Sequence, residues 1–489
     1  MVRLAEYAEL YVISDLHLGV GAQLFDAAAH LAALFKYLRE KRARDLEVAL
    51  VINGDMVDFL TDPDASYFSP KNATGNLKQI FEATPFQTIW TELSAFVQTE
   101  HRHLTIVLGN HDLELALPWV RAYLIETLGG TNEAAKGRVN LCFDGAGFAC
   151  SVGGSRVLCL HGNEVDTWNV TDHEMLRRLG RDLVQGREVP QWTPNAGTKL
   201  VIDVINPLKR TYAFVDLLKP EIRAVVPIVL ALDQNAESRL NNVLAVARRL
   251  TWDSVRRAAG FLSVDEAAIP TALSGEPLES LAGRQGWPRP SADAASAALL
   301  QHADTTQLML ATEEAFRAGV DPLMLVHNGM LGLGDTLRKW VRSSEKYELL
   351  WRALKGLADD QSFDPKVPDE PFERIDRYVG SDFEWVITGH THLERVLPRT
   401  HGRGKYINTG TWIPLIRLTP DFLRDAPAFK PVYDVMATSR QIPDLERVPG
   451  LLLRKPAVAS IIRDGSGVSG KLERVTLDTN GNIGFQMIG

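Results

Sequence analysis

Five short apolar segments, each followed by a cluster of polar residues, constrain the fold of this chain most strongly. The segments are residues 10–14, 48–52, 104–108, 156–160 and 384–388. Their aliphatic and β-branched composition is typical of buried strands. Amphipathic segments at helical spacing, such as residues 26–41, alternate with the first of them. Strands that alternate with helices predict an α/β layered domain.

A second amphipathic helix is predicted between the second and third strands. Thr84, Pro85 and Gln87 fit a capping box with proline at the first helical position. We expect one face of this helix to be buried, namely Phe86, Ile89, Trp90, Leu93, Phe96 and Val97.

The polar clusters after the strands contain the residue types that hold metal ions. They are Asp15-Leu16-His17, Gly54-Asp55, Gly109-Asn110-His111-Asp112, His161-Gly162 and Gly389-His390-Thr391-His392. Because open α/β sheets bind their ligands beyond the carboxyl ends of the strands, we expect these clusters to converge. Carboxylates, imidazoles and an amide without a thiolate favour manganese, iron or zinc. Two such ions about 3.5–4 Å apart can hold a shared hydroxide and clamp a phosphoryl group.

The order and residues of these five blocks closely resemble the calcineurin-like metallophosphoesterase superfamily. The resemblance covers residues 10–170 and 380–415. It extends loosely to a C-terminal hairpin, which is predicted from strand-like residues 472–477 and 483–487 on either side of the turn at 478–482. It implies two facing mixed β-sheets flanked by helices. It also implies a phosphoester hydrolase with two divalent ions, of which manganese is favoured over iron, zinc or nickel.

The same resemblance assigns roles to individual residues of the clusters. His111, beside the metals, would protonate the leaving-group oxygen or steady the phosphate, and Asp55 would bridge the ions. The remaining ligands fall into two sets: Asp15, His17 and His392 for one ion, and Asn110, His161 and His390 for the other.

Several further polar residues are expected to have supporting or structural roles. We interpret Asp58 and Asp112 as partners that orient ligands. Glu164 and His173 are expected in a solvated loop, with a place at the mouth of the site as the alternative. The histidines outside the clusters and the cysteines are expected to be structural: His101, His103, His327, His401, Cys142, Cys150 and Cys159.

The middle of the chain predicts an insertion into the α/β core. The expected organisation is a first core part (residues 1–170), a mainly helical insertion (171–375) and a second core part (376–489). Helical patterns occur at 240–262 and 345–357, a loop rich in proline and glycine at 270–290, and a linker at 359–371. We expect the insertion to select substrates and to be a candidate surface for self-association.

Two locally basic stretches lie in this insertion, at residues 177–187 and 239–257. A solvated helix face is the favoured interpretation, and contact with a phosphate backbone or anionic lipid is the alternative. Trp168 and Trp192 nearby are expected to pack, with base stacking as the alternative.

Charge and cysteine content limit the classes of protein that fit. The 53 basic and 61 acidic residues give a net charge of −8, so no global basic field attracts nucleic acid. Three cysteines are too few for a disulfide framework, which favours a reducing compartment. We see no signal-peptide pattern and no apolar run near the ~20 residues of a membrane span. The chain is therefore expected to be cytoplasmic.

Three substrate classes remain open. Phosphodiester cleavage of a nucleotide or nucleic acid is favoured, because His111 supplies the proton that an alkoxide leaving group needs. The blocks at 14–18 and 161–163 are also similar to the UDP-2,3-diacylglucosamine pyrophosphohydrolases, although those enzymes carry arginine at the position of His111. A phosphomonoesterase is the third class, and a metal-binding interaction scaffold is the non-enzymatic alternative.

Overall fold

A computed structural model gives the positions of most residues outside the predicted insertion. It describes residues 4–20, 25–40, 45–61, 66–166, 169–187, 192–202, 206, 212, 214–218, 346–354, 361–439, 441–465 and 467–488. These residues form fifteen strands: β1 (Ala5–Tyr7), β2 (Glu9–Ile13), β3 (Val48–Asn53), β4 (Arg102–Val107), β5 (Val139–Cys142), β6 (Phe148–Val152), β7 (Ser155–Cys159), β8 (Trp385–Thr388), β9 (Arg395–Pro398), β10 (Lys405–Asn408), β11 (Leu415–Ile416), β12 (Leu452–Leu453), β13 (Ala457–Asp464), β14 (Gly467–Leu477) and β15 (Ile483–Ile488).

The strands form two large mixed sheets and one small pair. The seven-stranded sheet has the order β15-β14-β13-β2-β3-β4-β5, in which β2 to β5 are parallel and the other pairs are antiparallel. The six-stranded sheet has the order β1-β6-β7-β8-β10-β9, with β7, β8 and β10 parallel. Strands β11 and β12 form the pair.

Helices cover the outer faces of the sheets. In the described residues they are α1 (Ala28–Glu40), α2 (Ala73–Glu82), α3 (Gln87–Gln98), α4 (Pro118–Gly129), α5 (Glu133–Lys136), α6 (His173–Val184), α7 (Ala196–Leu200), α8 (Lys346–Leu354), α9 (Glu370–Val379), α10 (Pro420–Leu423) and α11 (Ala426–Thr438). Short 3-10 turns occur at Phe59–Thr61, Thr84–Phe86, Leu113–Ala116, Asn163–Val165, Val215–Leu217 and Ile442–Arg447.

The alternation of side chains along the strands creates separate apolar cores. Along β2, Leu10 and Val12 contact residues of the six-stranded sheet in a core between the sheets. Tyr11 and Ile13 point to the opposite face and pack with the helices. A third core joins the outer face of the six-stranded sheet to α9 through Phe372. The predicted fold of two facing mixed sheets flanked by helices is confirmed.

One local prediction was wrong, because the capping box at Thr84 does not form. Residues Thr84–Phe86 form a 3-10 turn without a side-chain cap, and α3 begins at Gln87. Helix α2, which the sequence did not predict, ends at Glu82, and the side-chain amide of Gln87 donates to the Glu82 carbonyl at 3.5 Å. The apolar face expected for α3 is buried as predicted.

Both ends of the predicted insertion pack on the core. Leu176 and Leu179 of α6, and Leu350 and Leu354 of α8, belong to the core on the helix side of the seven-stranded sheet. The predicted segments at 240–262 and 270–290 and the basic stretch at 239–257 lie outside the described residues. Within the described part of the chain, no helix has the length and apolar character to cross a bilayer.

A buried ion pair fastens α9 to the six-stranded sheet. Arg399 Nε donates to Asp376 Oδ1 at 2.6 Å, and neither side chain is exposed. Burial opposes ionisation of Asp376. Hydrogen bonds from Thr400, His401 and Arg399 outweigh burial and lower the Asp376 pKa to about 2.

We expect Asp376→Ala to lower the free energy of unfolding by about 3–5 kcal/mol, because Arg399 then stays buried without its partner. The folded pKa lies below the unfolded value of ~3.9. The contribution of ionised Asp376 is therefore complete above about pH 4 and is lost as the pH falls through 2. Urea denaturation at a series of pH values should show that the difference in unfolding free energy between the variant and the wild type shrinks as the pH falls from about 4 to about 2. Asp434→Ala, which removes an exposed partner of Lys430, should cost under about 1 kcal/mol; equal losses would contradict the argument.

Candidate metal centre

The polar clusters meet at one edge shared by both sheets. Asp15, Asp55 and Asn110 follow the parallel strands β2, β3 and β4, and His161 and His390 follow the parallel strands β7 and β8. Parallel strands end at the same edge, so the five loops lie together.

Hydrogen bonds between these loops fix their relative positions. Within one sheet, Asp15 N donates to Gly54 O at 3.1 Å, and His17 N donates to Asp55 O at 2.9 Å. Across the two sheets, His390 N donates to both carboxylate oxygens of Asp15 at 3.0 Å. The Asp15 carboxylate therefore joins the ligand loops of the two sheets.

The first group of converging side chains is Asp15, His17 and His392. His392 Nε2 lies 3.4 Å from Asp15 Oδ1 and 3.0 Å from His17 Nε2. Their ligand atoms all lie within 4.8 Å of one another, so one divalent cation can contact all three.

The second group contains Asp55, His161 and His390, whose ligand atoms also lie within 4.8 Å of one another. His161 Nε2 lies 3.2 Å from Asp55 Oδ2. The Oδ1 atom of Asn110 is buried and has no hydrogen-bond partner among the described residues. A buried amide oxygen without a partner is costly unless a cation or another donor satisfies it.

Asp55 lies between the two groups. Its Oδ2 is 3.2 Å from His161 Nε2 and 3.7 Å from His17 Nε2. Its Oδ1 accepts a hydrogen bond from His111 N at 2.9 Å. One carboxylate thus faces both groups, which is the placement that a bridging ligand needs.

The electrostatics of the buried acids and imidazoles favour positive charge at this edge. Burial raises the pKa of Asp55, but His161 and His111 outweigh burial and hold the pKa well below its usual value. Burial lowers the pKa of His161, but Asp55 and Asp15 raise it to about 10. The carboxylates therefore stabilise a positive charge at the imidazole, which either a proton or a divalent cation provides.

His111 lies beside these groups and is held by Asp58. Its Nδ1 is 3.1 Å from Asp58 Oδ2, and the same carboxylate oxygen is 3.2 Å from His17 Nδ1. Burial raises the pKa of Asp58, but His111 and His17 lower it far below its usual range. The His111 side chain is 18% exposed, so an incoming molecule can reach it.

The backbone at the ligand positions adopts a conformation that L-residues rarely take. Among the described residues other than glycine, six have positive φ, and five of these are the proposed ligands Asp15, His17, Asp55, His390 and His392. Each such residue costs about 1–2 kcal/mol relative to ordinary backbone. Strain of this kind is concentrated at functional sites, where surrounding structure maintains it.

Two glycines allow the close approach of the loops. A Cβ atom at Gly54, where φ is +87°, would lie 2.1 Å from His161 Nδ1. A Cβ atom at Gly389 would lie 2.4 Å from Asp15 Oδ2. Any larger residue at these positions displaces a ligand side chain.

These observations fit divalent metal ions. The donors are carboxylates, imidazoles and an amide, the Asn110 oxygen has no other described partner, and each group is compact enough for a single cation. Cys150 and Cys159 are buried within the sheets, and no group assembled from the described residues includes a thiol.

Comparison with known proteins agrees with this geometry. The family model of the calcineurin-like phosphoesterases matches residues 9–216, a segment that includes Asp15, Asp55, Asn110 and His161. This match and the geometry described above support the assignment of residues 9–216 to the calcineurin-like metallophosphoesterase superfamily. No curated protein matches the chain. The matched segment ends before His390. The assignment of β8 and its loop to this centre therefore rests on the structure and not on the family model.

Other residues singled out from the sequence have different surroundings. Asp112 accepts hydrogen bonds from Gly109 N at 2.7 Å and Met56 N at 2.9 Å, so it fastens two ligand loops through their backbones. Burial, followed by the charge of Asp55, raises the Asp112 pKa to about 7. Glu164 was expected in a solvated loop but is buried, and its carboxylate accepts a hydrogen bond from Gly162 N at 2.6 Å.

The histidines outside the clusters, as far as the structure describes them, belong to no group of potential metal ligands. His101 and His103 pair with Glu47, and His401 lies 3.4 Å from Asp376. His173, also expected in a solvated loop, is the first residue of α6, and its ring contacts the Phe143 carbonyl. His327 and Trp168 lie outside the described residues, and Trp192 packs against Phe68. In the first basic stretch three exposed arginines pair with acids: Arg177 with Glu174, and Arg181 and Arg187 with Asp182.

Sequence reasoning missed three residues that orient the ligands of the centre. Asn53 O accepts from His161 Nδ1 at 2.8 Å, and Asn408 Nδ2 donates to Gly389 O at 2.7 Å. Asp166 Oδ2 is 2.8 Å from His390 Nε2. The two asparagines carried a signal, since each is a polar residue at the end of an apolar strand.

Proposed function

We propose that this metallophosphoesterase is a phosphodiesterase that acts on a nucleotide or nucleic-acid-type substrate. The placement of His111 carries the proposal, because its partly exposed ring lies beside the ligand groups and is held by Asp58. A histidine in this position can give a proton to the oxygen that leaves. An alkoxide, the leaving group of a nucleotide diester, is a strong base and needs that proton.

We propose that the seven ligands hold two divalent ions, and that manganese suits them best because imidazoles predominate. When bound, such ions activate a water molecule and offset the charge of the phosphoryl group. Asp55, placed between the two groups, reduces the repulsion between two cations. The Asp58 carboxylate lies 3.1 Å from Nδ1 of His111 and can orient the ring.

The second candidate function is pyrophosphate hydrolysis on a nucleotide-linked lipid. It rests on the similarity of residues 14–18 and 161–163 to the UDP-2,3-diacylglucosamine pyrophosphohydrolases. A crevice beside His392 adds no support, because its volume of about 10 Å³ holds a single water molecule and its Lys455 lies 3.7 Å from Glu394.

We expect the purified protein to hydrolyse bis(p-nitrophenyl) phosphate only when divalent ions are present. Chelation followed by dialysis should remove the activity, and manganese should restore it at least as well as magnesium, since magnesium prefers all-oxygen ligands. Metal content per chain, measured on the same samples, should follow the activity.

A substrate panel separates the candidate functions. Faster turnover of dinucleotides than of a UDP-linked lipid or a phosphomonoester supports the nucleotide diesterase, and the opposite ranking supports the second candidate. A metal-loaded protein inert towards every phosphoester would favour the interaction scaffold. We also propose a cytoplasmic location, because all three cysteines are unpaired.

A further inference from the structure

We propose that Asp166 is a positioning residue that fixes the His390 ring so that Nδ1, and not Nε2, faces the ion. This inference rests on the proposed metal centre. Asp166 Oδ2 lies 2.8 Å from His390 Nε2. Since a carboxylate only accepts hydrogen bonds, Nε2 carries the proton in this contact, and Nδ1 keeps the lone pair that binds a cation.

Two other imidazoles of the centre, those of His161 and His17, show the same type of support with the opposite ring nitrogen. His161 uses Nδ1 to contact the Asn53 carbonyl at 2.8 Å, and His17 uses Nδ1 to contact Asp58 at 3.2 Å. Their Nε2 atoms therefore remain for an ion. Metal-ligating histidines generally donate their second N–H to a carboxylate or carbonyl, which sets the tautomer and ring orientation. His390 follows this rule with the roles of its two nitrogens reversed.

Hydrogen bonds of its side chain and backbone hold Asp166 in place. Asn169 Nδ2 donates to Asp166 Oδ2 at 2.7 Å. The Asp166 carbonyl accepts from Asn169 N at 3.1 Å and from Val170 N at 2.8 Å, and Asp166 N donates to Asn163 O. The backbone of His390 is held separately, by its bonds to Asp15. Both the main chain and the ring of His390 are thus fixed by residues from other loops.

The experiment measures metal affinity, a quantity independent of catalysis. Chelator-stripped full-length protein is titrated with Co²⁺ by calorimetry, and the visible absorption of bound Co²⁺ reports the coordination. We expect Asp166→Ala to weaken binding at one site by about 10–100-fold. Asp166→Asn should weaken it less, because its amide oxygen still accepts from Nε2. Glu174→Ala, an exposed acid of the following helix, is the control and should bind as wild type.

A double-mutant cycle with His390→Ala tests whether Asp166 acts through the ring. When His390 is absent, Asp166→Ala should cause no further loss of affinity. Losses that add in full would show that Asp166 contacts the ion directly, and unchanged affinity in Asp166→Ala would remove any role; either result overturns the inference. Failure of the wild-type protein to bind Co²⁺ would refute the metal centre itself. That result is distinguishable from failure of the Asp166 inference, because it is seen with the wild-type protein alone.

Discussion

Replacing Asp55 with asparagine should abolish the binding of both ions and reduce kcat/KM by about 10³-fold or more. The carboxylate faces both ligand groups, at 3.2 Å from His161 Nε2 and 3.7 Å from His17 Nε2. Asparagine keeps the size of the side chain and the acceptor for His111 N, but it removes the negative charge. Metal ions contribute several kcal/mol of transition-state stabilisation, and about 4 kcal/mol corresponds to that factor.

The control is Asp464→Asn, the same substitution at an exposed residue at the end of β13. Strand β13 is antiparallel to β2, so Asp464 lies at the sheet edge opposite the centre. Metal content, kinetics and the melting temperature of the stripped protein are measured for both variants. An Asp55→Asn protein that retains two ions and near-normal rates would exclude the bridging role.

The second large effect is expected for His111→Asn, and its size should depend on the leaving group. A general acid typically contributes about 10²–10⁴-fold. We expect a loss of that order for a dinucleotide, whose leaving alkoxide needs a proton. With an activated aryl diester the loss should be small, because an aryloxide leaves without protonation. Metal content should stay near normal.

His401→Asn provides the matched control for this prediction. His401 is about half exposed and contacts Asp376 on the outer side of the six-stranded sheet. Both substrates should be turned over by this variant at the wild-type rate. Equal losses on the two substrates in His111→Asn would exclude proton donation, and a lost ion would identify His111 as a ligand.

The features that could be predicted from the sequence are those encoded by residues close together in the chain. Strand β3 matches its predicted segment, residues 48–52, to within one residue, and the apolar spacing from Phe86 to Val97 predicted the buried face of α3. Each ligand cluster follows a short apolar strand, so its position at a sheet edge could be inferred. The structure brings six of these seven side chains into two compact groups, while Asn110 has a buried Oδ1 without a described partner; their binding of ions stays a prediction.

The features that sequence reasoning missed depend on contacts between distant segments. Asp166 and His390 are neighbours only because β7 and β8 pair in the six-stranded sheet. The capping box failed because a second helix, α2, ends immediately before it and provides Gln87 with a different partner. Helix α2 contains Gly75 and Asn76, residue types that usually favour turns, so its apolar spacing did not predict a helix.

The positive φ angles at five ligands mean that the centre works against the stability of the metal-free chain. Asp and His tolerate this backbone better than most residues, and β-branched residues tolerate it least. Asp and His therefore meet two separate requirements, since they bind the ions and they tolerate the positive φ angle. Few substitutions at these positions satisfy both. Glycine is the exception, because it satisfies the backbone and removes the ligand. A drift towards glycine at Asp15 or His392 would yield a more relaxed protein without the centre, so only selection for activity keeps these side chains in place.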